Sequence, residues 1–364
     1  QRKMSAKRKI VFDNQPSLFD WDNIERADYF SLLAAAEREA EEEEKELEMR
    51  ENAASDEHRK IIPNPVYTDL DITPEEIAAS AAASAERLYY ISLGSGSSGN
   101  SCYIGTDREG IVVDAGVRAD KIEEMLEING IPMSRIKALL LTHDHSDHVR
   151  YSYNLLRNNR HVSLYCTPRV LNGLLRRHSI SRRIKEYHTP VFKEIPFRIG
   201  EFDITAFDVP HDGSDNMGFS IEYHGRRFVL ATDLGAVTER ARHYMSRANY
   251  LVIEANYDSD MLSAGPYPEF LKARIRTANG HLDNKDTALF LQEIINPELR
   301  YIFLCHLSKD NNTPAKAIKA VRDALESKGV VVGTASETIA DRKADVQLMA
   351  LPRFEPSHCF VFRR

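Results

Sequence analysis

After residue 86, short apolar runs alternate with polar turns that contain glycine, and this pattern predicts a domain rich in β-strands. The run at 136–141 is mostly apolar and of strand length, which is consistent with a strand buried on both faces. Helix-like stretches lie between the apolar runs, and one of them begins at Pro168 behind a capping Thr167. The predicted strands are 88–93, 101–104, 111–113, 136–141, 202–209, 218–223, 227–231, 250–253 and 301–304, and the predicted helices are 119–129, 168–178, 269–277, 285–295 and 314–328.

Many strands with interspersed helices indicate an α/β or α+β domain whose sheets are covered by helices. The residues before 87 follow a different pattern, because 31–52 is rich in Glu and Ala and has few apolar positions. Such a helix would be solvated or act as a spacer. We therefore expect a mostly disordered or helical N-terminal extension at 1–86 and a globular domain at 87–364. The stretch 333–343 is predicted to be a loop insertion.

The net charge of −7 over 364 residues is unevenly distributed. Residues 1–86 carry a net charge of −10, whereas residues 87–364 carry +3. The acidity of the chain therefore belongs to the extension and does not argue against an acidic ligand of the globular domain. With 42% hydrophobic and 28% charged residues, the composition is that of a globular protein and excludes collagen-like and fully disordered chains.

The sequence offers no sign of a membrane or secreted location. We find no apolar run near the ~20 residues that a membrane-spanning helix requires, and the polar, basic first ten residues lead us to expect no secretory signal. The four cysteines are far apart, without CxxC spacing, which argues against a thiolate zinc site. Widely spaced cysteines fit a reducing compartment better than a disulfide scaffold, so the expected location is cytoplasmic.

The most informative motif directly follows the 136–141 strand. It reads HxHxDH and places His143, His145, Asp147 and His148 on one loop. His143 and His145 could ligate one ion, while Asp147 and His148 could reach a second. Imidazole and carboxylate ligands suit Zn²⁺ or Mn²⁺, and Fe²⁺ is also possible.

This motif resembles the signature of the metallo-β-lactamase superfamily, which implies a four-layer αββα sandwich with a centre of two divalent ions at one sheet edge. The resemblance also implies roles for residues elsewhere in the chain. Asp114 matches an aspartate that orients the histidine loop, and His211 matches the ligand that completes the first metal site. Asp233 matches the aspartate that bridges both ions, and His306 the last ligand of the second. In this fold Asp147 also holds the attacking water in line, which gives it a catalytic role.

Five further segments resemble the YycJ (WalJ) branch of this superfamily: LGSGSSGNS (93–101), EANYD (254–258), 261–275, GHLDN (280–284) and HLSKDNN (306–312). Members of that branch are described as cytoplasmic exonucleases that degrade duplex DNA from 5′ ends and are associated with repair. Tyr257 stands where many members have His, and Asp283 where many have Ser, so neither role can be transferred.

In this resemblance His281 is not a ligand but a catalytic residue, which binds the scissile phosphate or protonates the leaving oxygen. The alternative is a histidine that merely precedes a helix capped by Asn284. Ser98 and Asn100 lie on a loop of small residues whose backbone N–H groups could approach a phosphate. Glycine-rich turns are common, so this loop could equally be structural.

A basic segment gives independent support for a nucleic-acid substrate. Between Val149 and His188 there are nine Lys and Arg residues against one acidic residue, Glu186. Among them Arg150, Arg176 and Arg177 are candidates for contacts with a phosphate backbone beside the metal site. The alternative is a set of solvated helix faces.

The N-terminal extension contains a second candidate function. The peptide Gln15-Pro16-Ser17-Leu18-Phe19 resembles the motif by which bacterial repair and replication proteins dock on the sliding clamp. Leu18 and Phe19 would fill an apolar pocket, and Gln15 would form hydrogen bonds at its edge. The alternative is that these side chains pack on the globular domain.

The sequence therefore predicts a two-metal phosphodiesterase, most specifically a 5′-to-3′ DNA exonuclease in DNA repair, with DNA and the sliding clamp as partners. Two alternatives remain open. One is a hydrolase of RNA or small cyclic phosphodiesters with the same fold, and the other is a non-catalytic DNA or clamp adaptor. The sequence does not predict the oligomeric state.

Overall fold

A computed structural model describes residues 66–67, 87–335 and 343–363. Within these residues, no helix is both long enough and apolar enough to span a membrane. The predicted N-terminal extension lies outside the described part except for 66–67, and so do the clamp-motif residues Gln15, Leu18 and Phe19. The predicted domain boundary near residue 86 stays a prediction.

The first sheet contains β1 (Val66–Tyr67), β2 (Leu88–Gly94), β3 (Ser101–Gly105), β4 (Gly110–Val113), β5 (Ile136–Leu140), β6 (Ser163–Cys166), β7 (His188–Pro190) and β16 (Phe360–Phe362). Their spatial order is β1-β16-β2-β3-β4-β5-β6-β7. The four strands from β4 to β7 run parallel, so their carboxyl ends lie at one edge of the sheet.

The second sheet contains β8 (Phe197–Ile199), β9 (Phe202–Asp208), β10 (Met217–Tyr223), β11 (Arg226–Ala231), β12 (Tyr250–Glu254), β13 (Tyr301–Cys305), β14 (Val332–Gly333) and β15 (Val346–Ala350). Their spatial order is β14-β15-β13-β12-β11-β10-β9-β8. Here β11, β12 and β13 are parallel neighbours, and their carboxyl ends also share one edge.

The described helices are α1 (Ala119–Ile128), α2 (Ser146–Val149), α3 (Ser152–Asn158), α4 (Pro168–Arg177), α5 (Glu239–Met245), α6 (Ser259–Ala264), α7 (Glu269–Ile275), α8 (Asn284–Ile294) and α9 (Pro314–Glu326). Thr167 caps α4 as predicted, since its side chain accepts a hydrogen bond from the Val170 N–H. The proposed cap of α8 is wrong, because Asp283 is the capping residue and Asn284 is the first helical residue.

Aromatic side chains fill the space between the two sheets. The ring of Tyr90 on β2 lies 4.8 Å from that of Phe228 on β11 and 4.9 Å from that of Phe303 on β13. A second apolar cluster packs helices α5, α8 and α9 on the outer face of the second sheet. Buried residues of α1, α3 and α4, such as Ile122 and Leu174, join the core from the first sheet. The predicted four-layer αββα sandwich is confirmed.

The strands and helices predicted between 88 and 328 are all present, with ends that differ by a few residues, and the predicted helix at 31–52 lies outside the described residues. The pattern missed short or atypical elements, including β6, β7, β15 and β16. The edge strand β7 reads His-Thr-Pro and carries no apolar alternation, since an edge strand has only one neighbour to pack and pair with. The predicted loop at 333–343 is wrong at its start, because Gly333 belongs to β14, and 336–342 lie outside the described residues.

Candidate metal centre

The candidate site lies where strand ends from both sheets meet. Asp114 follows β4 and the HxHxDH loop follows β5, while Asp233 and His306 follow β11 and β13. The loop itself bends into α2, which places Asp147 and His148 in the first turns of a short helix. Side chains distant in sequence thus converge on one pocket because parallel strands end at the same edge.

The first cluster consists of His143, His145 and His211. One ligand atom from each lies within 4.8 Å of the others, a spacing that a single ion can bridge. Nε2 of His211 is 3.3 Å from Nδ1 of His145. Burial, followed by the charge of His148, lowers the pKa of His143 well below 6.5, and burial with the charge of His145 lowers that of His211 to about 4. Both imidazoles are therefore neutral at pH 7, the form that binds metals.

The second cluster consists of Asp147, His148 and His306, again with one ligand atom each within 4.8 Å. Nε2 of His306 lies 3.5 Å from Oδ2 of Asp147. Burial raises the pKa of Asp147, but the charges of His148 and His306 outweigh burial and lower it to about 2. The Asp147 side chain is thus a carboxylate at neutral pH.

Asp233 lies between the two clusters. Its Oδ2 is 3.2 Å from Nε2 of His148, and its Oδ1 is 3.2 Å from Nδ1 of His306 and 3.9 Å from Nε2 of His211. With His143 and His148 it forms a further group able to hold an ion. One buried carboxylate therefore contacts ligand candidates of both clusters.

The buried polar atoms of the site support metal occupancy. Nε2 of His143, Nε2 of His306 and Oδ2 of Asp233 are shielded from solvent and have no hydrogen-bond partner among the described residues. Leaving such atoms unsatisfied costs roughly 1–3 kcal/mol each. Imidazole nitrogens and carboxylate oxygens directed at one space are the ligands of Zn²⁺, Mn²⁺ or Fe²⁺, so the residues present fit divalent ions.

Four of the five histidines have a hydrogen-bond partner for their other ring nitrogen, and that of His145 lies beside a carboxylate. This arrangement fixes the tautomer and the orientation of a metal-binding imidazole. The pairs are His143 with Thr142 Oγ1 (3.0 Å), His145 with Asp212 Oδ1 (3.2 Å), His148 with Asp114 Oδ2 (2.7 Å), His211 with Gly280 O (3.0 Å) and His306 with Glu254 Oε1 (2.9 Å).

The Asp114 side chain contacts the histidine loop. Its carboxylate accepts hydrogen bonds from the N–H and hydroxyl of Thr142, each at 2.8 Å, in addition to the bond from His148. Its backbone is left-handed with φ of 60°, and His306 has φ of 53°. Left-handed backbone is costly for residues other than glycine, and such strain clusters at functional sites.

Glu254, which ends the buried strand β12, is an additional site residue that the sequence interpretation missed. Its Oε1 accepts hydrogen bonds from Nδ1 of His281 at 2.7 Å and of His306 at 2.9 Å. Its Oε2 accepts from the backbone N–H groups of Leu234 and Leu282. The sequence signal was an acidic residue at the end of an apolar strand. Such a residue is buried here, and a buried charge requires partners.

Asp212 is a second missed residue. Its Oδ1 lies 3.2 Å from Nε2 of His145, and its Oδ2 accepts a hydrogen bond from Nε of Arg274 at 2.9 Å. The Arg274 side chain, on α7, thus fixes the carboxylate that orients His145. The sequence gives no signal for this pair, which is separated by 62 residues.

Comparison with known proteins then identifies the family. Residues 111–306, more than half of the chain, match the family model described as the beta-lactamase superfamily domain. The chain belongs to the metallo-β-lactamase superfamily. The matched segment contains every residue of the two clusters described above.

Within the superfamily, the chain is similar to two named exodeoxyribonucleases. It is 32% identical over 256 residues to exodeoxyribonuclease YycJ of Bacillus anthracis, covering 69% of this chain and 94% of that protein. It is also 32% identical over 246 residues to exodeoxyribonuclease WalJ of Streptococcus pneumoniae serotype 2, covering 67% of this chain and 90% of that protein. The predicted YycJ-like membership is confirmed, and the chain is a metal-dependent hydrolase.

A solved structure supports the fold alone. Zn²⁺-bound PqqB from Methylobacterium extorquens superposes with a TM-score of 0.53 at 17% identity, covering 74% of this chain and 99% of that one. At this identity the likeness concerns the sandwich and carries no statement about the substrate.

The two candidate substrate residues on the loop after β2, Ser98 and Asn100, differ in burial and in contacts. Asn100 is buried, and its side-chain amide donates to Oδ2 of Asp147 at 3.0 Å and to the Gly96 carbonyl at 2.9 Å. Ser98 is half-buried on the same loop. Asn100 is therefore engaged with candidate metal ligands, in a position to orient them.

The three arginines predicted to contact DNA differ in whether they also contact the histidine loop. Arg176 on α4 is exposed. Arg177 is also exposed, and its Nη1 lies 3.5 Å from the buried carboxylate of Asp144 in the HxHxDH loop. Arg150 bonds with the Ser146 hydroxyl at 3.3 Å. Two of the three arginines thus brace the histidine loop, and Arg176 lies open to solvent.

Proposed function

We propose that this protein is a cytoplasmic, two-metal 5′-to-3′ DNA exonuclease that acts in DNA repair. The observation that carries the proposal is the pair of three-residue clusters with Asp233 between them and the His281–Glu254 pair beside them. The printed activity of the YycJ and WalJ relatives supports DNA as the substrate.

In this proposal the two clusters hold one ion each, of Zn²⁺ or Mn²⁺, with Fe²⁺ as an alternative. His143, His145 and His211 would hold the first ion and Asp147, His148 and His306 the second, with Asp233 placed between them. Two such ions supply an activated water and neutralise the charge that develops on the attacked phosphate. Asp147, whose carboxylate is 18% exposed, accepts a hydrogen bond from the attacking water and keeps it in line.

His281 is the proposed general acid. Burial lowers its pKa, but the Glu254 carboxylate outweighs burial and raises the pKa above 6.5. The side chain is 22% exposed, and its Nδ1 is bonded to Glu254, so Nε2 is the atom that reaches the substrate. A protonated imidazole at this position can bind the scissile phosphate or protonate the leaving oxygen. His281 also belongs to a group with Asp233, Glu254 and His306 that could hold an ion, so metal content distinguishes the two roles.

The proposed DNA track runs along the exposed cations of α4 and the following 3₁₀ helix (Arg182–Tyr187). Arg169, Arg176, Arg182 and Lys185 are exposed there. Ser98 on the loop after β2, with Arg150 and Arg177 beside the histidine loop, is proposed to position the phosphates nearest to the ions. Such contacts are independent of base sequence, as an exonuclease requires.

Digestion of substrates labelled at either end tests the function. Full-length protein with Mn²⁺ or Zn²⁺ is expected to release nucleotides from the 5′ ends of duplex DNA. Duplex RNA and a cyclic dinucleotide of matched concentration serve as competing substrates. Cleavage of RNA or of the cyclic dinucleotide without cleavage of DNA would contradict the proposal and favour the alternative phosphodiesterase.

A separate proposal concerns recruitment to the bacterial sliding clamp through Gln15, Leu18 and Phe19. Purified clamp is expected to retain the full-length protein, and Leu18→Ala/Phe19→Ala is expected to abolish retention because the apolar pair fills the clamp pocket. Leu32→Ala/Leu33→Ala in the same extension is the control and should leave retention unchanged. Retention of the Leu18/Phe19 variant, or none of the wild type, would contradict clamp docking.

Glu254→Gln is expected to lower both metal affinity and the rate of DNA cleavage by about 10- to 100-fold. The neutral amide lacks the negative charge with which the Glu254 carboxylate holds the imidazoles of His281 and His306 in the wild type. Metal titration and steady-state kinetics on the folded variant measure the two effects. Glu222→Gln, which alters an exposed pair with Arg227, is the matched control. Equal metal affinity in Glu254→Gln and the control would contradict this role.

A further inference from the structure

Two large apolar side chains are exposed on the tight turn that connects β7 of the first sheet to β8 of the second. Phe192 is 54% and Ile195 is 59% exposed, and the Ile195 N–H donates to the Phe192 carbonyl at 3.2 Å. The other large apolar residues exposed in the described part of the chain are far from one another in sequence: Ile128, Leu289, Val331 and Phe354. The 192–195 turn therefore presents an apolar tip that its own fold leaves uncovered.

Hydrogen bonds and ion pairs hold the turn on both sides. The Val191 N–H donates to the Cys166 carbonyl at 3.0 Å, and the Glu194 N–H donates to the Ala206 carbonyl at 2.8 Å. Glu194 adopts a left-handed φ of 65°, and the Lys193 ammonium contacts two carboxylates at 2.5 Å each. The two apolar side chains are thus fixed in an exposed position by hydrogen bonds on both sides.

The 192–195 turn lies at the sheet edge that carries the metal centre. Because β4 to β7 are parallel, the residues that follow their carboxyl ends are Asp114, His143, Thr167 and Val191 in spatial order. Two strand spacings separate β5 from β7, or about 10 Å along the edge. Asp215, which contacts Lys193, also accepts a hydrogen bond from the Thr167 hydroxyl at 2.7 Å.

The charges around the turn are compatible with DNA. Asp208 and Asp215 both contact Lys193, so the two carboxylates share one cation. The Glu194 carboxylate accepts a hydrogen bond from the Tyr244 hydroxyl at 2.7 Å and lies 3.4 Å from Nε of Arg240. Each of these three carboxylates therefore contacts a cation, with Asp208 and Asp215 sharing Lys193. Between the turn and the histidine loop lies the start of α4, where Arg169 is exposed and can meet a phosphate.

We propose that Phe192 and Ile195 form a wedge that packs on the terminal base pair of a DNA duplex and separates the 5′ strand for entry into the metal centre. This inference rests on the proposed exonuclease function. Asp147 and His281 are recessed, with 18% and 22% exposed side chains, so a nucleotide must leave the paired stack to reach them. An apolar tip can replace the lost stacking because every base presents a π-face.

The double variant Phe192→Ala/Ile195→Ala tests the wedge by comparing substrates. Digestion of blunt duplex DNA is expected to slow about tenfold, since stacking of a base on an aromatic ring is lost. Digestion of the same strand without its complement, or with mismatched terminal pairs, is expected to change less than about twofold, because no pair has to be opened. Leu289→Ala, an equally exposed apolar residue on α8, is the control. Unchanged digestion of blunt duplex, or equal slowing on all three substrates, would overturn the proposal.

A binding measurement separates the wedge from the exonuclease activity. The probe is a duplex with 2-aminopurine at its 5′ end and a phosphorothioate at the first linkage. Wild type is expected to raise its fluorescence on binding, and the double variant to raise it by less than about half as much. If wild type raises the fluorescence as expected but digests no unmodified DNA, the exonuclease function would be overturned and the wedge would stand. Digestion without an increase in fluorescence would overturn the wedge. A wild type that is dimeric and a double variant that is monomeric would also overturn it, because the two side chains would then form a subunit interface.

Discussion

Asp147→Ala is expected to lower the rate of DNA cleavage at least ~100-fold. The substitution removes one of three ligand candidates of the second cluster and the carboxylate that holds the attacking water. It also removes the acceptor of the Asn100 amide and a partner of His306, so the geometry of the second cluster is expected to loosen. Polarity-resolved digestion of end-labelled duplex DNA measures the rate.

Asp120→Ala is the control for Asp147→Ala, because Asp120 is an exposed carboxylate paired with Arg118 on α1. The control should retain the wild-type rate and thermal stability. Less than a tenfold loss of rate in Asp147→Ala, at saturating Mn²⁺ and with the fold intact, would contradict both roles of this residue.

His281→Ala is expected to lower the cleavage rate by about 10²- to 10⁴-fold, the usual contribution of a general acid. The number of bound ions is expected to stay the same, because His281 lies outside the two three-residue clusters. Kinetics together with metal analysis of the same preparation separate an acid from a ligand.

His243→Ala, an exposed histidine on α5, is the control for His281→Ala. A second substrate carries nitrophenol, a leaving group of low pKa, in place of the 3′ oxygen that normally leaves. His281→Ala should cleave this substrate at close to the wild-type rate, since nitrophenolate departs without a proton. Loss of one ion in His281→Ala would instead assign His281 to the metal centre.

The sequence predicts much of the fold because its long central strands are apolar runs between clear turns. The 136–141 run illustrates this, since it becomes β5 with four of five residues buried. Short edge elements escape prediction because pairing partners, rather than their own pattern, stabilise them. Val66–Tyr67 is an example, since its two residues form a strand only by pairing in parallel with β16.

The seven candidate metal ligands are predictable for a related reason. Each follows an apolar strand or belongs to one dense motif, and strands that end at one edge bring their next residues together. Glu254 and Asp212 are harder to find because they contact the candidate ligands rather than belong to them, as Glu254 does with His306. Such contacts depend on the packing of segments such as β12 and β13 against each other, and the linear sequence pattern does not contain that information.

The predicted substrate contacts differ in what they touch within the protein. The arginines after the histidine loop are predicted to form one surface for DNA, and Arg177 among them also contacts the buried Asp144 carboxylate. Arg176, its neighbour in sequence, points into solvent because adjacent helical residues lie on different faces. A helical wheel can separate the two faces, but only the structure identifies which face the loop occupies.

The metal content of full-length protein tests the central claim most directly. Protein stripped with chelator, reloaded with excess Zn²⁺ or Mn²⁺ and desalted is analysed by inductively coupled plasma mass spectrometry. The account predicts about two ions per chain in the wild type, and about one in His145→Ala, which removes a ligand from the first cluster alone. One ion or fewer in the wild type would contradict a two-metal centre.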